Sequence, residues 1–371
     1  MTPDLFSVSG RLVLVGSYTP EAGGNGRGIT SAWAHADGRL EAVSELDVIS
    51  PTCIVWHPNG ARAYAACEFD PGRIQAIDVS PAGALAGAEG LRTGGAGPCH
   101  VALSVDAAYL FSADYQGGTV SAFSLDTSGR LEAMTDVVVH EGSGPVIGRQ
   151  GSAHPHMVVC RPDGHIYVVD LGTDEVRRYV SGARGQLQLT SIDPMPAGCG
   201  PRQLAFSPGG DSAYLLGELT SELFRLVVRS DGSLRVRSST RVTGSPMADG
   251  ASHLFLSPSG RRAYVSNRGP GTIAVLDLSC EPAVLIEEIP CGGTSPRQFA
   301  FIDDRLWIGN QQSDSVRSYR VRTDAQEQHI VTQEYVDTPI RTPTWLAPGR
   351  RRPEESWEPS VTSTPLGNQG Q

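Results

Sequence analysis

The sequence predicts an all-β ring of seven four-stranded blades, a β-propeller closed by pairing its N- and C-terminal segments. Three observations carry this. A strand–turn–strand unit recurs along most of the 371 residues, with copies about 44 to 57 residues apart, near the period of a propeller blade. The 43 Gly and 26 Pro suit a chain of many short strands and many turns. No stretch shows convincing helical periodicity.

The units align on their turns: His57–Gly60 (HPNG), Ser104–Ala107 (SVDA), Arg161–Gly164 (RPDG), Ser207–Gly210 (SPGG), Ser257–Gly260 (SPSG) and a shortened Ile302–Asp304. Pro fixes φ at the second turn position, and Gly or Asn tolerates the reversal. A second strand follows each turn: AYAACE, YLFSADY, IYVVDLG, AYLLGE, AYVSNR and LWIGNQ. A third comes after a short loop, for example RIQAIDV or TIAVLDL, and then a weaker fourth such as RLEAMTDVVV. Six units fill about residues 50–340. The N-terminal VLVGSYT, GITSAWAHADG and LEAVSELDV give three strands of a seventh unit that lacks its first. Thr342–Ala347 (TPTWLA) resembles the first strand Ser50–Val55 (SPTCIV), so the C-terminus is expected to complete the N-terminal blade. A closed ring also limits exposed strand edges. The expected organisation is an N-terminal extension over 1–10, the propeller over 11–348 and a polar, Pro-rich disordered tail over 349–371.

Composition excludes several functions. A net charge of −10 argues against nucleic acid as the main partner. The chain has no lysine, which removes Schiff-base chemistry. The seven cysteines form no C-x-x-C, and their odd number reads as free thiols in a reducing compartment. No apolar run reaches about 18 residues, the rough minimum for a membrane span. A cytoplasmic monomer or weak dimer, without membrane or nucleic-acid partners, is the expectation. GGNGRG at 23–28 superficially resembles a dinucleotide loop, but a strand pattern follows it and no helix N-terminus is offered to a pyrophosphate. No cofactor is expected.

The first strand of each blade lines the central channel, so equivalent strand ends converge on one mouth. The residue after the first-strand Pro gives the set Thr52, Cys99, His156, Arg202, Ser252, Arg297 and Thr344. The next position gives Cys53, His100, Met157, Gln203, His253, Gln298 and Trp345. The end of the second strand gives Tyr18, Glu68, Tyr115, Gly172, Glu218, Arg268 and Gln311. One mouth should therefore carry Arg202, Arg268, Arg297, His100, His156, Glu68, Glu218 and Tyr115. Guanidiniums bind carboxylate or phosphate bidentately, and a nearby His or Glu can act as general base. The bland reading of any one such Arg or Glu is an inter-blade salt bridge. His154 and His156 share a strand face as a metal pair would, but no carboxylate or Cys completes a ligand set, and no metal is expected. A small anionic substrate is the expected partner.

The motifs VGSYT, GPCHVAL, HPHMVV, DLGTDEV, GPRQLAFSP, AYLLGELTSEL, AYVSNRG, SPRQFAF and GNQQSDSV resemble, in that order, those of the seven-bladed lactonase family. That family contains propeller-type 6-phosphogluconolactonases and fungal carboxy-muconate lactonizing enzymes. The resemblance covers about residues 11–348 and implies opening, or reversible closing, of a lactone in an acidic substrate. It implies a site at His154 or His156, Arg202, Glu218 and Arg268. Four positions depart from the family pattern: Gln203, Gly217, His253 and Gln298. They touch the same mouth and bear on the substrate rather than on the fold.

The leading expectation is hydrolysis of 6-phosphogluconolactone or a similar acidic sugar lactone. His156 or Glu218 would activate water and Arg202 would stabilise the oxyanion, with His154 as the other candidate histidine. Arg268 and Arg297 would hold the anionic group, with His100, Glu68, Tyr115, His253 and Gln311 completing the substrate site. The alternative is an isomerase or cyclase of the muconate lactonizing type acting on a carboxylated substrate. A non-catalytic propeller would instead present a blocked or apolar channel mouth.

Overall fold

The computed structural model describes residues 10–246, 250–323 and 329–352. Residues 1–9 of the expected extension and the tail from 353 onward lie outside them. The last strand, Pro343–Arg351, continues past the expected boundary at 348.

Among the described residues the strands form seven four-stranded antiparallel sheets. Blade 1 combines Gly10–Asp47 with the C-terminal strand Pro343–Arg351. Blades 2 to 7 follow as 51–92, 98–139, 155–194, 201–241, 251–290 and 296–339. The seven innermost strands contact one another in a closed cycle, and the C-terminal strand touches both its neighbours, Pro51–Trp56 and Pro296–Ile302.

The local pattern follows burial. Second strands such as Ser212–Gly217 are covered on both faces by adjacent blades, so they read as continuous apolar runs. Fourth strands such as Leu234–Arg241 face solvent and carry Arg and Ser. Seven apolar clusters fill the gaps between consecutive blades. Second-strand tyrosines bridge blades as well: Tyr167 donates to Gly232 O at 2.8 Å, and Tyr64 donates to Gly129 O. The HPNG, SVDA, RPDG, SPGG and SPSG turns each close with the fourth N–H donating to the first carbonyl, at 2.8 to 3.0 Å.

Closure rests on the pairing of Leu14 with Ala347 and Val15 with Leu346, all four residues being buried. Truncation after Arg341 exposes the edge of Gly10–Ser17 and removes one wall of two inter-blade clusters. The expected loss exceeds about 5 kcal/mol, the low end of a domain's whole stability. Circular dichroism on heating should show no cooperative transition in the truncated chain. A native-like melt would mean that the ring closes elsewhere.

Candidate active site

Every inner strand begins with the same irregularity. Pro51, Pro98, Pro155, Pro201 and Pro296 pair with the second strand, the next residue is skipped, and pairing resumes one residue later. The skipped residues are Thr52, Cys99, His156, Arg202 and Arg297. In blade 6 both Ser252 and His253 are skipped, and in blade 1 the skipped residue is Thr344. A bulge leaves its extra residue outside the ladder and re-aims the side chain. Here it lets two successive positions face the axis where a regular strand would offer one. In six blades the residue before the bulge segment is left-handed (Ser50, Gly97, Gly200, Gly250, Ser295 and Thr342, with φ from 40° to 75°).

All eight skipped residues, from Thr52 to Thr344, line a small axial cleft partly open to solvent. His100, Gln203, Gln298 and Trp345 line it too. Of the expected site residues, His156, Arg202, Arg297, His100 and His253 therefore form its wall. His154 does not line it; its ring stacks on Tyr115 at 4.5 Å and hydrogen-bonds through Nδ1 to Tyr115 O at 2.8 Å.

Above the wall, Glu218 is buried at the centre of three guanidiniums. Arg202 Nη1 donates to Oε2, while Arg149 Nη2 and Arg268 Nη2 reach Oε1 at 2.6 and 2.9 Å. Burial alone would raise the Glu218 carboxyl, but Arg202 and Arg268 outweigh it, with Arg149 adding to them, and hold it well below the usual range. Arg202 is fixed on three nitrogens. Besides Glu218, its Nη1 donates to His156 Nε2 at 2.7 Å, its Nε to Ser252 O at 2.7 Å and its Nη2 to Ser252 Oγ at 3.1 Å. Ser252 in turn donates to Arg297 O at 2.7 Å. Burial, and then the Arg202 charge, push the His156 imidazole well below its ordinary value, so it is neutral and accepts from Arg202.

A second cluster faces this one. Arg297 Nη2 lies 3.4 Å from Glu68 Oε2, and the Tyr18 hydroxyl donates to the same oxygen at 2.5 Å. The Arg297 guanidinium also lies over the Tyr18 ring, 4.8 Å from its centre. Tyr115 meets His156 edge-on at 5.5 Å.

The other ionisable residues of the wall are neutral. Burial lowers His100 to about 4, and burial with Arg202 lowers His253 to about 3. Gln203 Oε1 accepts from Leu254 N at 2.6 Å, and Gln298 Oε1 from Leu346 N at 2.9 Å. These glutamines satisfy the ladder that the bulges interrupt. Trp345 stands edge-on to both histidines.

Two positions differ from the sequence expectation. In blade 4 the second-strand-end position belongs to Leu171, not Gly172: Leu171 N donates to His154 O at 3.0 Å, as Glu218 N does to Gly200 O at 2.8 Å. The RPDG turn is one residue shorter than its counterparts, Arg161 N donating to His165 O where Ser207 N donates to Ser212 O, so the strand His165–Asp170 and the position after it come one residue earlier; Asp170 then caps His154 N and Gly172 N. Gln311 occupies the expected backbone position, accepted by Ser295 O at 3.0 Å, but does not line the cleft. Sequence reasoning missed Arg149 altogether. Its signal was the 57-residue interval between the second and third turns, an insertion over 140–154. Among the described residues, no three His, Cys, Asp or Glu side chains converge as a metal ligand set would. No helix there is long and apolar enough to cross a membrane.

The fold is a seven-bladed propeller whose axial cleft is lined by Arg202, Arg297 and a neutral histidine, with the buried Glu218 carboxylate bound to Arg202. The family follows from comparison: the sequence model for the lactonase family of seven-bladed β-propellers matches residues 12–346, and the chain belongs to that family. An uncharacterized Lactococcus lactis protein is 30% identical over 82% of this chain and 90% of its own. The 6-phosphogluconolactonase of Bacillus subtilis is 28% identical over 77% of this chain and 84% of its own. The periplasmic gluconolactonase of Pseudomonas aeruginosa superposes with a TM-score of 0.83 at 27% identity, covering 92% of this chain and 99% of that structure.

Proposed function

We propose that the protein hydrolyses 6-phosphogluconolactone or a closely similar acidic sugar lactone. The observation that carries this is the charge of the mouth. Four guanidiniums (Arg149, Arg202, Arg268 and Arg297) face two carboxylates (Glu68 and Glu218) in a protein of net charge −10. Such a local surplus selects anions from an otherwise repelling surface. The Bacillus subtilis relative bears the corresponding name.

In this reading the lactone carbonyl oxygen takes the Arg202 N–H that rests on His156. That exchange releases the Nε2 lone pair of His156 to accept a proton from water. The hydroxide adds to the carbonyl carbon, and Arg202 stabilises the tetrahedral oxyanion. Collapse breaks the ring C–O bond, and the departing ring oxygen takes the proton back from the imidazolium. The products are the open acid and the neutral histidine. Glu218, both of whose oxygens are occupied by guanidiniums, acts as a positioning residue. His154 supports Tyr115 and takes no part in proton transfer. The seven free cysteines support a cytoplasmic setting.

Hydrolysis makes a specific isotopic prediction. Turnover of 6-phosphogluconolactone in heavy-oxygen water should place one label in the new carboxylate, at a rate above the spontaneous background. Product formation without label would mean the isomerase or cyclase reading instead. No acceleration on any acidic lactone would remove the hydrolase reading.

A further inference from the structure

The Glu218 cluster does not balance. One carboxylate is shared by three guanidiniums, so it carries a surplus of two positive charges, whereas Arg297 and Glu68 form a separate one-to-one pair. A phosphate monoester carries about −1.5 to −2 near neutral pH. Carboxylates carry one charge and leave the surplus half met.

The three arginines are not equivalent. The Arg202 side chain is 8% exposed and tied to Glu218, His156 and Ser252, facing the cleft wall. Arg268 is 24% exposed, and Arg149 is the most open at 40%. Arg149 and Arg268 converge on one oxygen, Glu218 Oε1. Arg268 is further tied through Nε to Gly250 O at 2.9 Å, so the more exposed Arg149 is the freer of the two to meet an incoming anion. Arg149 also bonds the Tyr115 hydroxyl.

Arg149 comes from the longest inter-blade connection, 140–154, against 242–250 for the next. Its backbone is nevertheless fixed. The adjacent Gln150 is buried, donating from Nε2 to Leu171 O and Asp174 Oδ1, both at 2.8 Å, and accepting at Oε1 from Val146 N at 3.1 Å. Arg177 holds Glu141 O at 2.7 Å. His140 is clamped between Asp170 at 2.7 Å and Tyr179 at 2.9 Å. The insertion is thus tied to blade 4 near both its ends and delivers one cation to the mouth, with its side chain 40% exposed.

We infer that Arg149, together with Arg268, seats the phosphate of the substrate and makes the enzyme select phosphorylated over neutral sugar lactones. This rests on the hydrolase reading above. When the phosphate arrives, Arg149 exchanges part of its hold on Glu218 for phosphate oxygens, and Glu218 keeps Arg202. The division of labour follows the exposure gradient: the inner arginine meets the carbonyl and the outer pair meets the charge. It assigns to the inserted loop a specificity role that the blade repeat does not encode.

The test compares 6-phosphogluconolactone with δ-gluconolactone in wild type, Arg149→Met and Arg149→Lys. Arg149→Met should lower kcat/KM for the phosphorylated lactone at least tenfold more than for the neutral one, mainly through KM, and Arg149→Lys should restore part of the preference. Equal losses on both lactones, or no loss on either, would overturn the inference. Calorimetric titration with 6-phosphogluconate and gluconate separates it from the hydrolase reading. If wild type turns over neither lactone yet Arg149→Met selectively weakens 6-phosphogluconate binding, the phosphate seat stands and hydrolysis falls. If the variant binds both acids as wild type does, the phosphate seat falls, whatever the turnover.

Discussion

Arg202→Ala should lower kcat/KM for the phosphorylated lactone by about 10²- to 10³-fold, the usual cost of removing an oxyanion donor. The loss should fall mainly on kcat, because Arg149, Arg268 and Arg297 remain to bind the anion. The fold should survive. A buried carboxylate stripped of its only cation costs about 3–5 kcal/mol, but Glu218 retains two guanidiniums after the substitution. The expected destabilisation is therefore at least about 1.5–3 kcal/mol, the range of one charged hydrogen bond, because the donors to His156 and Ser252 are lost as well. Arg202→Lys keeps the charge and loses the fork that spans Glu218, His156 and Ser252, so its rate should lie between the two. Initial rates by pH-stat, corrected for spontaneous opening, give the comparison, with thermal melts run beside them. An Arg202→Ala enzyme of undiminished kcat would place the oxyanion elsewhere in the mouth.

Much of that constellation is legible in the chain itself. The ring Thr52, Cys99, His156, Arg202, Ser252, Arg297 and Thr344 was legible because a Pro or Ala marks the start of every inner strand and the turn marks its end. Neighbouring positions such as Arg202 and Gln203 both reach the cleft, which ordinary strand alternation would forbid. Aligning the copies revealed the positions, and only the bulges explain them. Three things were not legible. The place of Arg149 depends on how an insertion folds back, and insertions carry no repeat to align. The tie between Glu218 and Arg268 crosses from blade 5 to blade 6, so its length is set by the packing of the ring. The one-residue offset at Leu171 arises from the shorter turn of blade 4, where Arg161 N bonds His165 O, and the apolar run IYVVDLG conceals where its strand ends.

The neutral histidines of the cleft carry a second large effect, on stability rather than rate. His100 and His253 sit at about 4 and about 3 in the folded protein, with His156 well below its ordinary value. In the unfolded chain each titrates near 6.5. Above pH 6.5 both states hold these rings neutral, and nothing is lost. Below it the unfolded chain takes up protons that the folded cleft refuses, so stability falls with pH. Each histidine contributes at most about 1.4 kcal/mol per pH unit in that window. His253 and His156 keep part of their surface on the cleft, which reduces their share. A combined loss of about 4 kcal/mol between pH 6.5 and 4.5 is expected, much of the stability of an ordinary domain. Glu218 does not blur the onset. Its depressed carboxyl contributes fully above its unfolded value of 4.5 and is lost only as pH falls further. His140, also lowered by burial, adds to the histidine slope. Melting temperatures measured from pH 8 to 4.5 should therefore turn down near pH 6.5, not near 4.5. A His100→Gln/His253→Gln variant should flatten that descent, since neither glutamine takes up a proton on unfolding. A wild-type profile that stays level to pH 5 would mean that water in the cleft solvates these rings well enough to leave them near their ordinary values.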